Sequence, residues 1–429
     1  MTDRAGSVTK PRAKAGQKEA RRPRATVRDQ ADVLRALGVL KVATATQIME
    51  LVRPHLSDNK AIRNALLVLK ADKLVVAEGS TAGPAGKFGT PDRVGEPSRK
   101  LWRLTPAGLD AAAEKLGRGP DEMGGNARGA GIGGAPHAMP VNATVTAFIC
   151  GGRAPGAPAG MGGLEAWRTE VPHALSSSGK RNVRSDAVFQ DKAAGVPLLM
   201  VEVDRATEPA HVLADKVGSY ADLYARRVRP PGMPSTGRGT IGDLNTVPFW
   251  ETLYPRTGLP GWPPLAIVLT GAGPTALDNR MRAVAQLSRE FWAGTEHADY
   301  GYRATAPEDG DFYLDFTAKV PLVITTLDLL QQHGPMGPVW FRVAQYRGTQ
   351  PEPLLQALTD THTAAEYRQR RKQRKRAAEA AEAEKQRREA AEQRLLDEQW
   401  KRSEWFEKRK RKMKKLARQW DEPKTADER

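Results

Sequence analysis

Three acidic residues and a lysine within Arg184–Tyr224 have the types and spacing that metal-assisted phosphate chemistry requires. Asp186 opens a short extended run, Arg184–Phe189. Glu202 and Asp204 close an apolar run, Leu198–Val203, and stand two apart, so a strand puts them on one face. Carboxylates at strand ends are costly to bury unless paired or bound to a cation. Oxygen ligands of this kind suit Mg²⁺. Lys216 follows on a predicted helix, where an ammonium can orient an attacking water or help deprotonate it. Glu170, at the end of the run WRTE, is a further acid for the same place. The competing reading is structural: a polar strand end whose carboxylates pair with Arg184, Arg205 and Lys216, with Glu170 as a solvated strand end.

The elements that must position these groups follow from periodicity. Gly195-Val196-Pro197 separates the two strands, and Val212, Leu213, Val217, Tyr220 and Leu223 recur at helical spacing from Pro209 to Tyr224. A helix at about Val141–Cys150 and a strand at Trp167–Val171 come before. A strand at Pro264–Thr270, a helix at Leu277–Phe291 and a strand at Val320–Thr325 come after. Strands alternating with helices predict an α/β fold. The layout resembles the restriction-endonuclease-like core of metal-dependent nucleases, whose pattern is Asp, a spacer, then Asp/Glu-x-Lys. That resemblance implies Asp186, Glu202 and Lys216 as catalytic residues, and Asp186, Glu202 and Glu170 as ligands of Mg²⁺. The chain departs from the pattern at Asp204, where the lysine should stand, so Lys216 has to supply that charge from the helix.

An earlier unit has a different rhythm. Val27–Leu37 places Ala31, Leu34 and Leu37 on one face. Thr46–Val52 follows the capping segment Thr44-Ala45-Thr46, and a third helix, capped by Ser57 or Asp58, runs to about Asp72 with Ile62, Leu66 and Leu69 inward. Strands at Leu74–Ala77 and Lys100–Leu104 flank a loop, and Thr105-Pro106 starts a closing helix, Ala107–Leu116. The order resembles a winged helix-turn-helix, and Leu-Thr-Pro-Ala-Gly is common at the end of the wing in bacterial regulators. The resemblance implies that the third helix enters the major groove of duplex DNA with Lys60, Arg63 and Asn64 near base edges. It implies that Lys87, Arg93, Arg99 and Lys100 meet phosphates. A winged helix that binds protein, or only stabilises its neighbour, is the alternative.

The 429 residues carry a net charge of +17, which favours polyanionic partners, nucleic acid first. A single cysteine, Cys150, excludes an internal disulfide framework and a multi-cysteine zinc site. That usage fits a reducing, cytoplasmic setting. No apolar run approaches the roughly 20 residues of a membrane span, and no membrane partner is expected. The expected organisation is multi-domain: a disordered basic tail (1–26), the winged helix (27–116), a Gly-rich linker (117–137), the nuclease-like α/β domain (138–346), a long basic helix (359–420) and a frayed end (421–429). Basic blocks at Arg368–Arg376 and Lys408–Lys415 predict phosphate contact. Leu395, Trp400, Trp405, Met413, Leu416 and Trp420 are too sparse for a sustained coiled coil but predict a short partner face. The seven histidines show no metal-ligand spacing and read as surface or turn residues.

Taken in order, the segments LWRLTPAG, WRTE, SDAVF, LMVEVDRATE with Lys216 and Tyr220 after it, PLAIVLT, VPLVITT and HGPMGPVW resemble the replication-relaxation family of plasmid and integrative-element proteins, over roughly Val27–Arg342. The resemblance implies a DNA-binding protein acting in replication, relaxation or transfer of a mobile element. Two other expectations stand beside it. One is a Mg²⁺-dependent DNA nuclease or nickase. The other is an adaptor that recruits replication or conjugation proteins through the C-terminal helix.

Overall fold

The computed structural model describes residues 24–81, 99–124, 135–229, 246–298, 312–343 and 350–420. The chain divides into two compact units, Met1–Gly294 with Phe316–Asp360, and Thr295–Asp315 with Thr361–Arg429. It is a mixed α/β structure with a multi-stranded sheet and a long C-terminal helix.

The first unit opens with α1 (Val27–Leu40), β1 (Val42–Thr44), α2 (Ala45–Val52), α3 (Lys60–Ala71), β2 (Val75–Ser80), β3 (Lys100–Leu104) and α4 (Pro106–Leu116). Thr44 caps α2 in a reciprocal box with Gln47, which satisfies two otherwise orphaned donors. At α3 the Asn59 side chain makes no cap bond, and Asp58 Oδ1 instead accepts the Lys60 N–H at 2.9 Å. Ile62, Ala65, Leu66 and Leu69 form the buried stripe of α3. The strands form an antiparallel sheet in the order β1-β3-β2. β1 has no counterpart in the sequence reading, because three wholly buried residues show no alternation.

A helix, α5 (Ala135–Cys150), leads into the larger sheet, beginning within the segment that composition assigns to a linker. Then follow β4 (Trp167–Ala174), β5 (Asn182–Asp191), β6 (Val196–Asp204), α6 (Ala210–Ala225), β7 (Arg227–Val228), β8 (Val247–Pro248) and α7 (Phe249–Leu253). β9 (Leu265–Leu269), α8 (Pro274–Leu287) and α9 (Arg289–Trp292) come next, and β10 (Thr295–Ala298) and β11 (Phe312–Asp315) belong to the second unit. β12 (Leu322–Thr326), α10 (Leu327–His333), β13 (Phe341–Arg342) and α11 (Leu354–Ala357) complete the first. The six-stranded order is β13-β12-β9-β6-β5-β4. β4, β5 and β6 form an antiparallel meander, β6, β9 and β12 run parallel, and β13 closes the edge antiparallel.

Alternate residues of β6 serve two cores, as a strand covered on both faces requires. Leu199, Val201 and Val203 join Val145 and Phe148 of α5 and Leu330 of α10. Leu198 and Met200 join Leu213, Val217 and Tyr220 of α6 and Met281 and Val284 of α8. The first cluster continues without a break into Val33, Leu37, Ile48 and Leu66 of the N-terminal helices. At its centre Phe148 meets Trp167 edge to face, ring centroids 5.0 Å apart. Polar ties reinforce the junction: Asn142 Nδ2 donates to Val42 O at 2.8 Å, and Thr169 Oγ1 to Val39 O at 2.5 Å.

In the second unit β10 and β11 pair antiparallel beside α12 (Ala364–Trp420). His362 takes a positive φ and Thr363 shares reciprocal bonds with Glu366, so the long helix starts a few residues later than its composition suggests. Leu395, Trp400, Trp405, Met413, Leu416 and Trp420 of α12 are exposed. Among the described residues no helix is long and apolar enough to cross a membrane.

Candidate functional site

The registers of the meander align three acids. Thr169 pairs with Ala187 and Val171 with Ser185, which brackets Glu170 opposite Asp186. Ala187 pairs with Val201, so the next position sets Asp186 opposite Glu202. Glu170, Asp186 and Glu202 therefore form one row across β4, β5 and β6. At Asp186 the ladder is interrupted, and Asp186 Oδ2 accepts the Val203 N–H at 2.7 Å. Glu170 has φ 54°, a conformation that costs a non-glycine residue about 1–3 kcal/mol and concentrates at functional sites.

The row is asymmetric. Glu202 is buried, and both of its oxygens accept: Oε1 from the Tyr220 hydroxyl and Oε2 from the Lys216 ammonium, both on α6. Lys216 Nζ also lies 3.7 Å from Asp186 Oδ1. Asp186, Glu202 and Lys216 thus lie together in space. The far end is open: Glu170 carries an exposed pairing with Arg184 at 3.5 Å, and His137 of α5 places Nε2 2.9 Å from Asp186 Oδ1. His137, Glu170 and Asp186 offer three ligand atoms within 4.8 Å of one another.

Two expectations are corrected. Asp204 does not join the row or pair with Arg184, Arg205 or Lys216. Arg280 of α8 holds it in a fork, with Nη2 donating to Oδ1 at 2.9 Å and Nε to Oδ2. The histidines are not uniformly surface or turn residues. His137 completes the acid cluster, and His173 is buried beneath it.

Behind Glu202 runs a buried chain of polar groups. Tyr254 Oη is 2.6 Å from His173 Nε2, His173 Nδ1 is 3.3 Å from Ser185 Oγ, and Ser185 Oγ is 2.7 Å from Tyr220 Oη. Because Tyr220 donates to Glu202, Ser185 donates to Tyr220. A neutral His173 that accepts from Tyr254 and donates at Nδ1 completes one direction of donation. Burial lowers His173 to about 4, consistent with that neutral ring.

Electrostatics follow the same asymmetry. Burial pushes Asp186 up, but the His137 hydrogen bond and the Lys216 charge prevail and hold it below its ordinary value. Burial, with Asp186 adding to it, drives Glu202 well up against the pull of Lys216 and Tyr220. Desolvation lowers Lys216, yet Glu202 and Asp186 outweigh it and keep the ammonium protonated. The Asp186 hydrogen bond raises His137.

The N-terminal candidates lie apart from this cluster. Lys60 and Arg63 are exposed on α3, Arg63 with a 4.0 Å contact to Asp58, and Asn64 is half-buried on the same helix. Lys100 is exposed at the start of β3, and Arg99 donates its N–H to Thr81 Oγ1 at 3.0 Å. Lys87 and Arg93 lie outside the described residues.

Residues 34–234 match the family model described as Replication-relaxation. This part of the chain resembles the replication-relaxation family. The replication-relaxation match spans α3, β2, β3 and the whole acid row with Lys216 and Tyr220, but not β9, β12 or α12. No curated protein and no solved structure matches the chain. Sequence reasoning missed His137, Tyr220, Ser185 and Arg280 as members of these networks. Register could have suggested Ser185, which neighbours Asp186. No local signal links His137 or Arg280 to the strands they serve.

Proposed function

We propose that the chain binds duplex DNA through residues 27–116, folded as a winged helix, and acts in replication or relaxation of a mobile element. One observation carries the reading. α3 buries Ile62, Ala65, Leu66 and Leu69 and leaves Lys60 and Arg63 exposed near its N-terminal end, where a groove-binding helix reads base edges. The β2–β3 ladder, with Lys100 exposed, stands as the wing that meets phosphates. The replication-relaxation match supplies the biological context. A salt titration of duplex binding tests it: affinity should fall linearly on a log–log plot. Binding that is absent at low salt, or indifferent to salt, overturns it.

The acid row favours a second reading, metal-dependent strand cleavage by a restriction-endonuclease-like α/β domain. Its support is the convergence of Asp186, Glu202 and Lys216, with Glu170 on the next strand. A bound divalent cation would polarise a phosphate oxygen and generate a hydroxide nucleophile. Asp186 and Glu170 fit such a group, whereas Glu202 is committed to Lys216 and Tyr220. Lys216 is held charged between two carboxylates, where it would orient a phosphate or a water. Supercoiled plasmid incubated with Mg²⁺ or Mn²⁺ should be nicked by the intact chain and spared by Glu202→Gln. Nicking by neither protein leaves the DNA-binding reading alone.

A further inference from the structure

The sequence pattern puts the cation between Asp186 and Glu202, but the geometry does not. Both Glu202 oxygens accept from cationic or hydroxyl donors, and the ammonium of Lys216 occupies the space a cation would need on that side. We propose that the cation site lies one strand further out, between β4, β5 and α5, with His137, Glu170 and Asp186 as its protein ligands. We propose further that it takes a transition-metal ion of the Mn²⁺ class in preference to Mg²⁺. This deepens the metal-dependent reading and rests on its site, but it is tested by binding and not by cleavage.

The three ligand atoms lie within 4.8 Å of one another, so small side-chain rotations of the two half-exposed ligands would bring all three onto a single ion. His137 Nε2 and Asp186 Oδ1 are 2.9 Å apart, the separation of two donors that share an ion or, without one, a hydrogen bond. Asp186 is braced for the task. Its Oδ2 accepts the Val203 N–H, which fixes the carboxylate with Oδ1 toward His137. The side chains of His137 and Glu170 are 39% and 38% exposed while that of Asp186 is 8% exposed, so the site has a buried floor and a mouth open to phosphate or water. Loading the ion displaces Arg184 from Glu170. That contact is half exposed and 3.5 Å long, the kind worth about 0–1 kcal/mol. Lys216 stays beside the site with its charge offset by Glu202.

The donor set decides the cation class. Mg²⁺ prefers oxygen ligands and retains much of its water, whereas an imidazole nitrogen with two carboxylates suits Mn²⁺, Fe²⁺ or Zn²⁺. Three protein ligands leave coordination positions for a substrate oxygen.

The full-length chain, stripped with chelator and titrated with Mn²⁺, gives the test by electron paramagnetic resonance. Expected are one bound Mn²⁺ per chain, ¹⁴N coupling in its pulsed spectrum, and retention of the ion against about 100-fold excess Mg²⁺. His137→Gln should abolish the coupling and weaken binding about 10–100-fold, and Glu170→Gln should weaken binding with the coupling retained. Glu202→Gln should keep the coupling. Absent Mn²⁺ binding, coupling that is missing from the wild type or survives His137→Gln, or ready displacement by equimolar Mg²⁺ would each overturn the proposal. Mn²⁺ bound with ¹⁴N coupling but no nicking would support the site and count against the cleavage reading alone.

Discussion

At the residue scale, Tyr220 has more to lose than its ring. Its hydroxyl donates to Glu202 and accepts from Ser185, and all three are buried. Tyr220→Phe keeps the packing but leaves a buried carboxylate one donor short, which should cost about 1–3 kcal/mol in urea unfolding. A loss within error would mean that Glu202 relies on Lys216 alone. His173 sets a pH dependence. Its folded value, near 4, lies below the ordinary 6.5, so the unfolded chain binds more protons between those values. Stability should fall as pH drops from about 6.5 toward 4, and a neutral isostere at His173 should flatten that slope. His137 has the opposite sign. Its folded value is raised, so its contact with Asp186 stabilises fully below 6.5 and fades as pH rises through the folded value. Melting curves of chelated wild type and His137→Gln should diverge most at mildly acidic pH and converge toward alkaline pH. Asp186, held low, adds stability that disappears only under strong acid.

Among the elements, α4 explains the run Leu-Thr-Pro-Ala-Gly. Thr105 caps the helix by accepting the Gly108 N–H at 3.1 Å, and Pro106 sits in the first turn where its missing donor costs nothing. Gly108 lies so close to β2 that a Cβ would stand 1.9 Å from the Leu74 carbonyl oxygen. Gly108→Ala should therefore push α4 off the sheet and cost at least about 1–3 kcal/mol, measurable as a drop in melting temperature. On α3, Arg63→Ala should cost about 1–3 kcal/mol against a preferred duplex and relax specificity there. An equal loss on every sequence would reassign Arg63 to a phosphate. Some elements were legible in the sequence: β5 and β6 lie over the extended and apolar runs, although Val196 and Pro197, read as part of the break, belong to β6. α6 lies where helical spacing puts it, and these three elements carry Asp186, Glu202 and Lys216. What stayed hidden depends on partners distant in sequence. Glu202 and Asp204 look equivalent two apart on a strand, and only α8, through Arg280, separates their roles. His137 sits on a helix whose first turn reads as linker, and nothing near it in sequence announces Asp186.

At the scale of the whole molecule, charge is the organising quantity. Removing residues 359–429 takes away the basic blocks of α12, so duplex affinity should fall and its salt dependence become shallower, while discrimination between sequences should persist. Unchanged salt dependence, with loss of protein capture instead, would make α12 an adaptor surface. The apolar cluster that runs from Leu37 and Leu66 through Phe148 to Val201 has a mechanical consequence. Among the described residues one packed cluster joins α3 to the sheet that carries the acids, so on the proposed reading a duplex lying on α3 would meet them at one constant offset. On that reading the first unit would work as a ruler. If packing sets that gauge, glycines inserted between residues 124 and 135 should leave the distance from bound sequence to nick unchanged. Cavities cut at Phe148 or Trp167 should scatter the nick positions.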